Sequence, residues 1–242
     1  MRIPRIFTPQ TLTKQSTIEL DDAAANHVSR VLRMGPGRKL FLFNGQEQCH
    51  FEAEIVSAQR KNVSINILER ISTALESPLH IHLGQAISKG DRMEFAIQKS
   101  VELGVNEITP LWTKNVDVKL NAERLEKKLH QWQQIAIAAC EQSGRDIVPT
   151  IHAPQELSSW LGEIKAQEKW VLDPRGLKQE SNQSGVSKAC LLVGPEGGLS
   201  EEEVKLACDY KFSAKLIGPR VLRTETAALT AISLLQSQWG DF

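Results

Sequence analysis

Around Pro78 the hydrophobic rhythm of this 242-residue chain changes. Before it, apolar residues alternate with polar ones: Cys49, Phe51, Ala53 and Ile55 in one run, Val63, Ile65 and Ile67 in the next. A period of two puts every apolar side chain on one face, so these runs are expected to be strands over a single core. Asn44-Gly45, between Arg38–Phe43 and Gln46–Val56, is a strong hairpin signal. Asp21-Asp22 lead a short helical stretch from Ala23 to Leu32, broken by Met34-Gly-Pro-Gly37. The polar stretch ending at Pro78 marks a boundary, with a small β-rich unit at residues 1–72 and a second domain at residues 73–242.

Beyond Pro78, strands and helices take turns. Candidate strands are Leu79–Gly84, Glu107–Trp112, Ile147–Ile151, Trp170–Leu172, Ala189–Val193 and Ala214–Ile217. One helix is expected near Asp91, with Met93, Ala96, Ile97 and Ser100 on one face and Gly104 as its stop. A longer one follows Asn121 and carries Leu125, Leu129, Trp132, Ala136 and Ala139, ending at Gly144. Ser200-Glu-Glu-Glu203 is a capping box that opens another. The last helix has Ala228, Ile232, Leu235 and Trp239 in one stripe. Such alternation implies an α/β domain with a largely parallel sheet covered on both faces.

Formal charge is zero but unevenly placed. Residues 1–72 hold ten Lys/Arg against seven Asp/Glu, and the remainder holds nineteen against twenty-two. Arg2, Arg5, Arg30 and Arg33 are therefore candidates to meet RNA phosphates, with a plain solvated face as the alternative. No run of 18 apolar residues exists, so no membrane span is expected. The opening Met1-Arg-Ile-Pro-Arg-Ile-Phe7 lacks the apolar core of a secretory signal. Cys49, Cys140, Cys190 and Cys208 lie far apart with no C-x-x-C pair, as in reduced, mostly buried thiols of a cytoplasmic protein.

P-loop, G-x-G-x-x-G and G-x-S-x-G motifs are all missing. His80 and His82 share a strand face, but two histidines without further ligands read as structural, so no metal is implied. Two loops stand out, each after a strand, where open α/β sheets bind ligands. Gly194-Pro-Glu-Gly-Gly-Leu-Ser200 has more glycine than a β-to-α turn needs, and Gly197-Gly198 would let a ligand approach the backbone. Glu196 would repel a phosphate, which favours a neutral or cationic ligand; S-adenosylmethionine, with ribose hydroxyls, an ammonium and a sulfonium, fits. Gly218-Pro-Arg-Val-Leu-Arg-Thr-Glu-Thr226 places Arg220 and Arg223 just before a helix N-terminus, where the dipole disfavours cations, so an anionic partner is expected. Glu225, in the first turn, suits the dipole.

These two loops resemble those of the SPOUT methyltransferases, most closely the RsmE-type branch that methylates N3 of a uridine in 16S ribosomal RNA. Asn26-His-Val-Ser-Arg-Val-Leu-Arg33, Lys89-Gly-Asp-Arg-Met-Glu94, Gln98-Lys-Ser-Val-Glu-Leu-Gly104 and Glu141-Gln-Ser-Gly-Arg145 are similar as well, in order and along essentially the whole chain. One departure stands out: Thr113-Lys114-Asn115 occupies the place of a Ser/Thr-Glu-Arg turn. The resemblance implies a PUA-like β-barrel at 1–72 that binds RNA, then a SPOUT-type parallel sheet with a C-terminal trefoil knot. It also implies a homodimer through the C-terminal domain, acting on 16S ribosomal RNA in the 30S subunit. Leu172, Gly194, Glu196, Gly197, Gly198, Ile217, Gly218 and Leu222 would hold S-adenosylmethionine. Arg223 would meet charge developing on uracil, Glu225 is a candidate base, and Lys89, Arg92 and Arg220 would contact RNA.

Overall fold

A computed structural model describes residues 3–59, 62–118, 121–177 and 184–242. Two compact units emerge: Met1–Glu76 with Ile137–Val148, and Ser77–Ala136 with Pro149–Phe242. The segment 137–148, which the sequence places in the second domain, packs with the first unit.

The first unit holds five strands: β1 (Arg5–Phe7), β2 (Thr17–Glu19), β3 (Lys39–Phe43), β4 (Cys49–Gln59) and β5 (Asn62–Ser72). They form one sheet in the order β1-β3-β4-β5-β2, with β1 parallel to β3 and the other pairs antiparallel. The alternation in β4 and β5 does what period two demands, burying Phe51, Ala53, Ile55, Val63, Ile65 and Ile67 in one core. Helix α1 (Asp22–Asn26) is capped by the Asp21 carboxylate, which accepts from the Ala23 and Ala24 N–H groups, and runs into a π-helical turn, His27–Val31. The expected hairpin exists, but β3 and β4 are joined by residues 44–48 rather than by a two-residue Asn-Gly turn. Gly45 has φ +78° and is needed for close approach, since a Cβ there would lie 2.8 Å from Val148.

Strands of the second unit are β6 (His80–Ala86), β7 (Glu107–Trp112), β8 (Thr150–Ile151), β9 (Gln155–Glu156), β10 (Glu168–Leu177), β11 (Lys188–Val193) and β12 (Ser213–Lys215). All pairings are parallel, in the order β12-β10-β11-β6-β7-β8, with β9 also on β7. The helices are α2 (Asp91–Glu102), α3 (Ala122–Ser143), α4 (Leu157–Glu163), α5 (Glu201–Asp209) and α6 (Thr224–Trp239). Asn121 caps α3 by accepting from the Arg124 N–H at 2.9 Å. Both halves of the Ser200–Glu203 capping box form at the start of α5. Leu157, Trp160 and Leu161 of α4 and Ala207 of α5 build a core with Leu111, Val171 and Leu192 of the sheet. Helix α6 packs on β6, β11 and α2, burying Ala228, Ile232 and Leu235, while Trp239 meets Trp170 edge-on with centroids 6.2 Å apart. Each of the six expected strands is present; β9 and α4 were not foreseen.

Candidate active site

Parallel strands run in one direction through a sheet, so Leu172–Arg175 of β10 and the loops after β11 and β12 are brought together at one side of it. They enclose a cavity of about 580 Å³, within the range of small-molecule sites. Seven of the eight residues expected to hold a cofactor line it: Leu172, Gly194, Glu196, Gly197, Gly198, Ile217 and Leu222. The eighth, Gly218, makes the turn between Ile217 and Arg220 with φ +75° and stays out of the wall. Asp173, Arg175 and Lys215 also line the cavity, and sequence reasoning missed them.

Why the loops sit as they do can be read from their hydrogen bonds. Thr224, buried at the start of α6, donates to the Gly194 carbonyl at 2.6 Å and accepts from Gln85 Nε2 at 2.9 Å. One hydroxyl thus joins β6, the end of β11 and the last helix. Asn115 Nδ2 donates to the carbonyls of Gly197 (3.1 Å) and Gly198 (2.9 Å). A Cβ on Gly197 would come within 3.0 Å of Asn115 Cβ, so glycine lets the two backbones close up. The neighbouring Lys114 N–H donates to Glu203 at 2.7 Å. In the turn that replaces Ser/Thr-Glu-Arg, Asn115 therefore holds the glycine loop and Lys114 the first turn of α5.

One oxygen of the Glu196 carboxylate, Oε1, already has partners within the protein. It accepts from Arg92 Nη1 at 3.0 Å and from the Lys89 N–H at 3.2 Å. Burial pushes this carboxyl up, but the backbone N–H groups and the Arg92 guanidinium outweigh it and hold it below the usual carboxylate range. Asp173, at the end of the strand core of β10, is likewise pushed up by burial and brought below its usual value by Arg175, whose N–H groups it accepts at 2.8 and 3.0 Å.

Arg220 and Arg223 both line the cavity and both are exposed. Arg223 occupies the N-cap position of α6 without a side-chain capping bond, so the helix does not use its guanidinium. Glu225 is absent from the cavity wall; its Oε2 is buried and without a hydrogen-bond partner among the described residues. A base must reach the proton it takes, and Glu225 is not among the residues that line the cavity.

Of the residues expected to contact RNA, Arg2 lies outside the described residues. Arg5 is a correction: its side chain is only 7% exposed, bonded to Asp146 and the Arg145 carbonyl, and so unavailable to a phosphate. Basic residues near a terminus look like surface until a distant carboxylate is found for them. Arg30, in the π-helical turn, and Arg33, at φ +50°, are exposed. Lys89 is paired with Asp117 at 2.8 Å and Arg92 with Glu196, both at the surface. Cys49, Cys140 and Cys190 are buried thiols and Cys208 is exposed. No helix of the described residues is long and apolar enough to cross a membrane.

A parallel α/β domain with this cavity, joined to a small β unit, has the make-up of a modular RNA methyltransferase. Residues 75–236 match the RNA methyltransferase domain family, and residues 20–68 the RNA methyltransferase PUA domain family. The chain belongs to the ribosomal RNA small subunit methyltransferase E family. It is 38% identical to that protein of Buchnera aphidicola from Schizaphis graminum, over 99% of this chain and 98% of the other. A Legionella pneumophila protein solved with the bound cofactor SAM shares 44% identity and superposes with a TM-score of 0.96, each chain fully covered. Ribosomal RNA small subunit methyltransferase E of Neisseria gonorrhoeae, bound to S-adenosyl methionine, shares 37% at a TM-score of 0.92, again over both whole chains.

Proposed function

We propose that this protein transfers a methyl group from S-adenosylmethionine to N3 of a uridine in 16S ribosomal RNA within the 30S subunit. The observation that carries the reading is the cavity of about 580 Å³, walled by Gly194–Leu199 and by Ile217 and Arg220–Arg223 at the ends of parallel strands. Its size and its glycine-backbone wall suit the cofactor, and two relatives of 37% and 44% identity were solved with that cofactor bound. S-adenosylmethionine supplies an electrophilic methyl on a sulfonium.

Uridine N3–H is a weak acid. The proton leaves N3, the new bond forms from N3 to the methyl carbon as the bond to sulfur breaks, and S-adenosylhomocysteine departs. The protein's tasks are to hold the ring in near-attack geometry and to stabilise negative charge growing on the uracil oxygens. Arg223 suits the second task, exposed at the cavity wall and making no capping bond to its helix. Arg220, three residues earlier, suits a phosphate. Hydroxide or a substrate phosphate accepts the N3 proton in this reading.

The resemblance further supports a PUA-like barrel that docks RNA, a trefoil knot in the C-terminal loops, a cytoplasmic location and a homodimer. Arg30 and Arg33 are the exposed cations of the first unit that suit RNA. Light scattering should give about twice 27.0 kDa for the dimer. The test of the function is transfer of labelled methyl to 30S subunits from a strain lacking this gene. Label on the RNA of those subunits, and none on subunits from the parent strain, supports the reading. Cofactor binding without transfer to either would reduce the protein to an RNA-binding assembly factor.

A further inference from the structure

Away from the cavity, at the N-terminal ends of the same parallel strands, three imidazoles surround one carboxylate. Glu107, the first residue of β7, meets His80 Nε2 with Oε1 at 2.7 Å and His152 Nε2 with Oε2 at 2.6 Å. His82, two residues along β6, has Nε2 2.8 Å from Thr109 Oγ1 and turns Nδ1 toward Glu107 Oε2 at 3.9 Å. That gap is too long for a hydrogen bond. The ligand atoms of His82, Glu107 and His152 all lie within 4.8 Å of one another. Around a tetrahedral zinc ion, bonds of about 2.0–2.1 Å put neighbouring ligand atoms about 3.4 Å apart. No gap among the three atoms exceeds 4.8 Å, so reaching that spacing takes a change of at most about 1.4 Å in any gap, shared between two side chains.

We infer that His82, Glu107 and His152 form a binding site for a divalent transition cation of the zinc type. Two imidazoles and a carboxylate are a donor set that zinc uses when a fourth position is left to water. The backbone is already set for it. The His152 N–H donates to the Ile108 carbonyl at 2.9 Å, and β6 and β7 pair in register with His82 opposite Glu107. His80 supplies the outer partner, bonding the second carboxylate oxygen and fixing its orientation. Side chains between 17% and 36% exposed leave the ion a path from solvent. The ion would tie β6, β7 and the segment after β8 at the sheet end opposite the cofactor cavity, apart from methyl transfer.

The experiment is calorimetric titration of chelator-stripped, full-length protein with zinc chloride, alongside cobalt(II) absorption and thermal unfolding. One ion per chain is expected, with the tetrahedral cobalt spectrum and a Tm that rises with zinc. Glu107→Gln and His152→Ala should each weaken binding and abolish the Tm rise. His80→Gln should weaken it on the order of tenfold, the usual cost of an outer partner. Absence of stoichiometric binding to the wild-type chain overturns the site without reference to any variant. Binding that survives both Glu107→Gln and His152→Ala would place the ion elsewhere and overturn it equally.

Discussion

Replacing Asn115 with alanine removes both hydrogen bonds that its side chain gives to the Gly197 and Gly198 carbonyls. A neutral hydrogen bond contributes about 0.5–1.5 kcal/mol net. Asn115 is exposed, so water replaces part of what is lost and the low end of that range applies. Two bonds then amount to about 1 kcal/mol, and with about 1.4 kcal/mol per factor of ten the cofactor should bind about fivefold more weakly. Turnover at saturating cofactor should be unchanged, because what is lost is uniform binding. Asn115→Asp is the sharper variant: it sets a carboxylate against two carbonyl oxygens beside Glu196 and should cost on the order of tenfold or more. Calorimetric titration of S-adenosylmethionine into each variant, with circular dichroism to show that the fold is kept, gives the numbers. If both variants bind within about twofold of wild type, Asn115 does not hold the loop and the argument fails.

Three further outcomes follow from the same geometry. Arg223→Ala should lower single-turnover methyl transfer on the order of 10²–10³-fold with cofactor affinity intact; a loss confined to RNA affinity would make it a phosphate clamp. Alanine at both Arg30 and Arg33 should reduce the salt dependence of RNA binding by a slope of up to about 1 per lost phosphate contact, measured by titration across salt concentrations; an unmoved slope would make them a solvated face. Asp146→Ala strips the buried Arg5 of its counter-charge, with 7% and 1% side-chain exposure for the two partners. Urea unfolding should show about 3–5 kcal/mol lost, and a loss near zero would mean that the pair is not buried in solution.

Much of the second unit was legible because its signals are local. A strand such as Ala189–Val193 is an unbroken apolar run, and Ser200 with Glu203 declares a helix start within four residues. A strand of two residues, such as β9, is too short to carry a period. Asp173, Arg175 and Lys215 escaped notice because the sheet order, not the sequence, sets β10 beside β12. The stripe of α3 showed that one face is buried but not against what; Ile137 onward packs with the first unit. Arg5 was misread for the same reason, its partner Asp146 lying 141 residues away. The two glycine loops were legible as a site because each is contiguous, whereas the Asn115 contact that secures one of them spans 82 residues.

The central claim is that the cavity serves methylation of a uracil ring nitrogen. Its most direct test is nucleoside mass spectrometry of 16S ribosomal RNA after incubation of unmodified 30S subunits with the protein and isotope-labelled S-adenosylmethionine. The account predicts labelled N3-methyluridine, at a single site, and its loss with Arg223→Ala. Label on a ribose 2′-hydroxyl or on another base would contradict it.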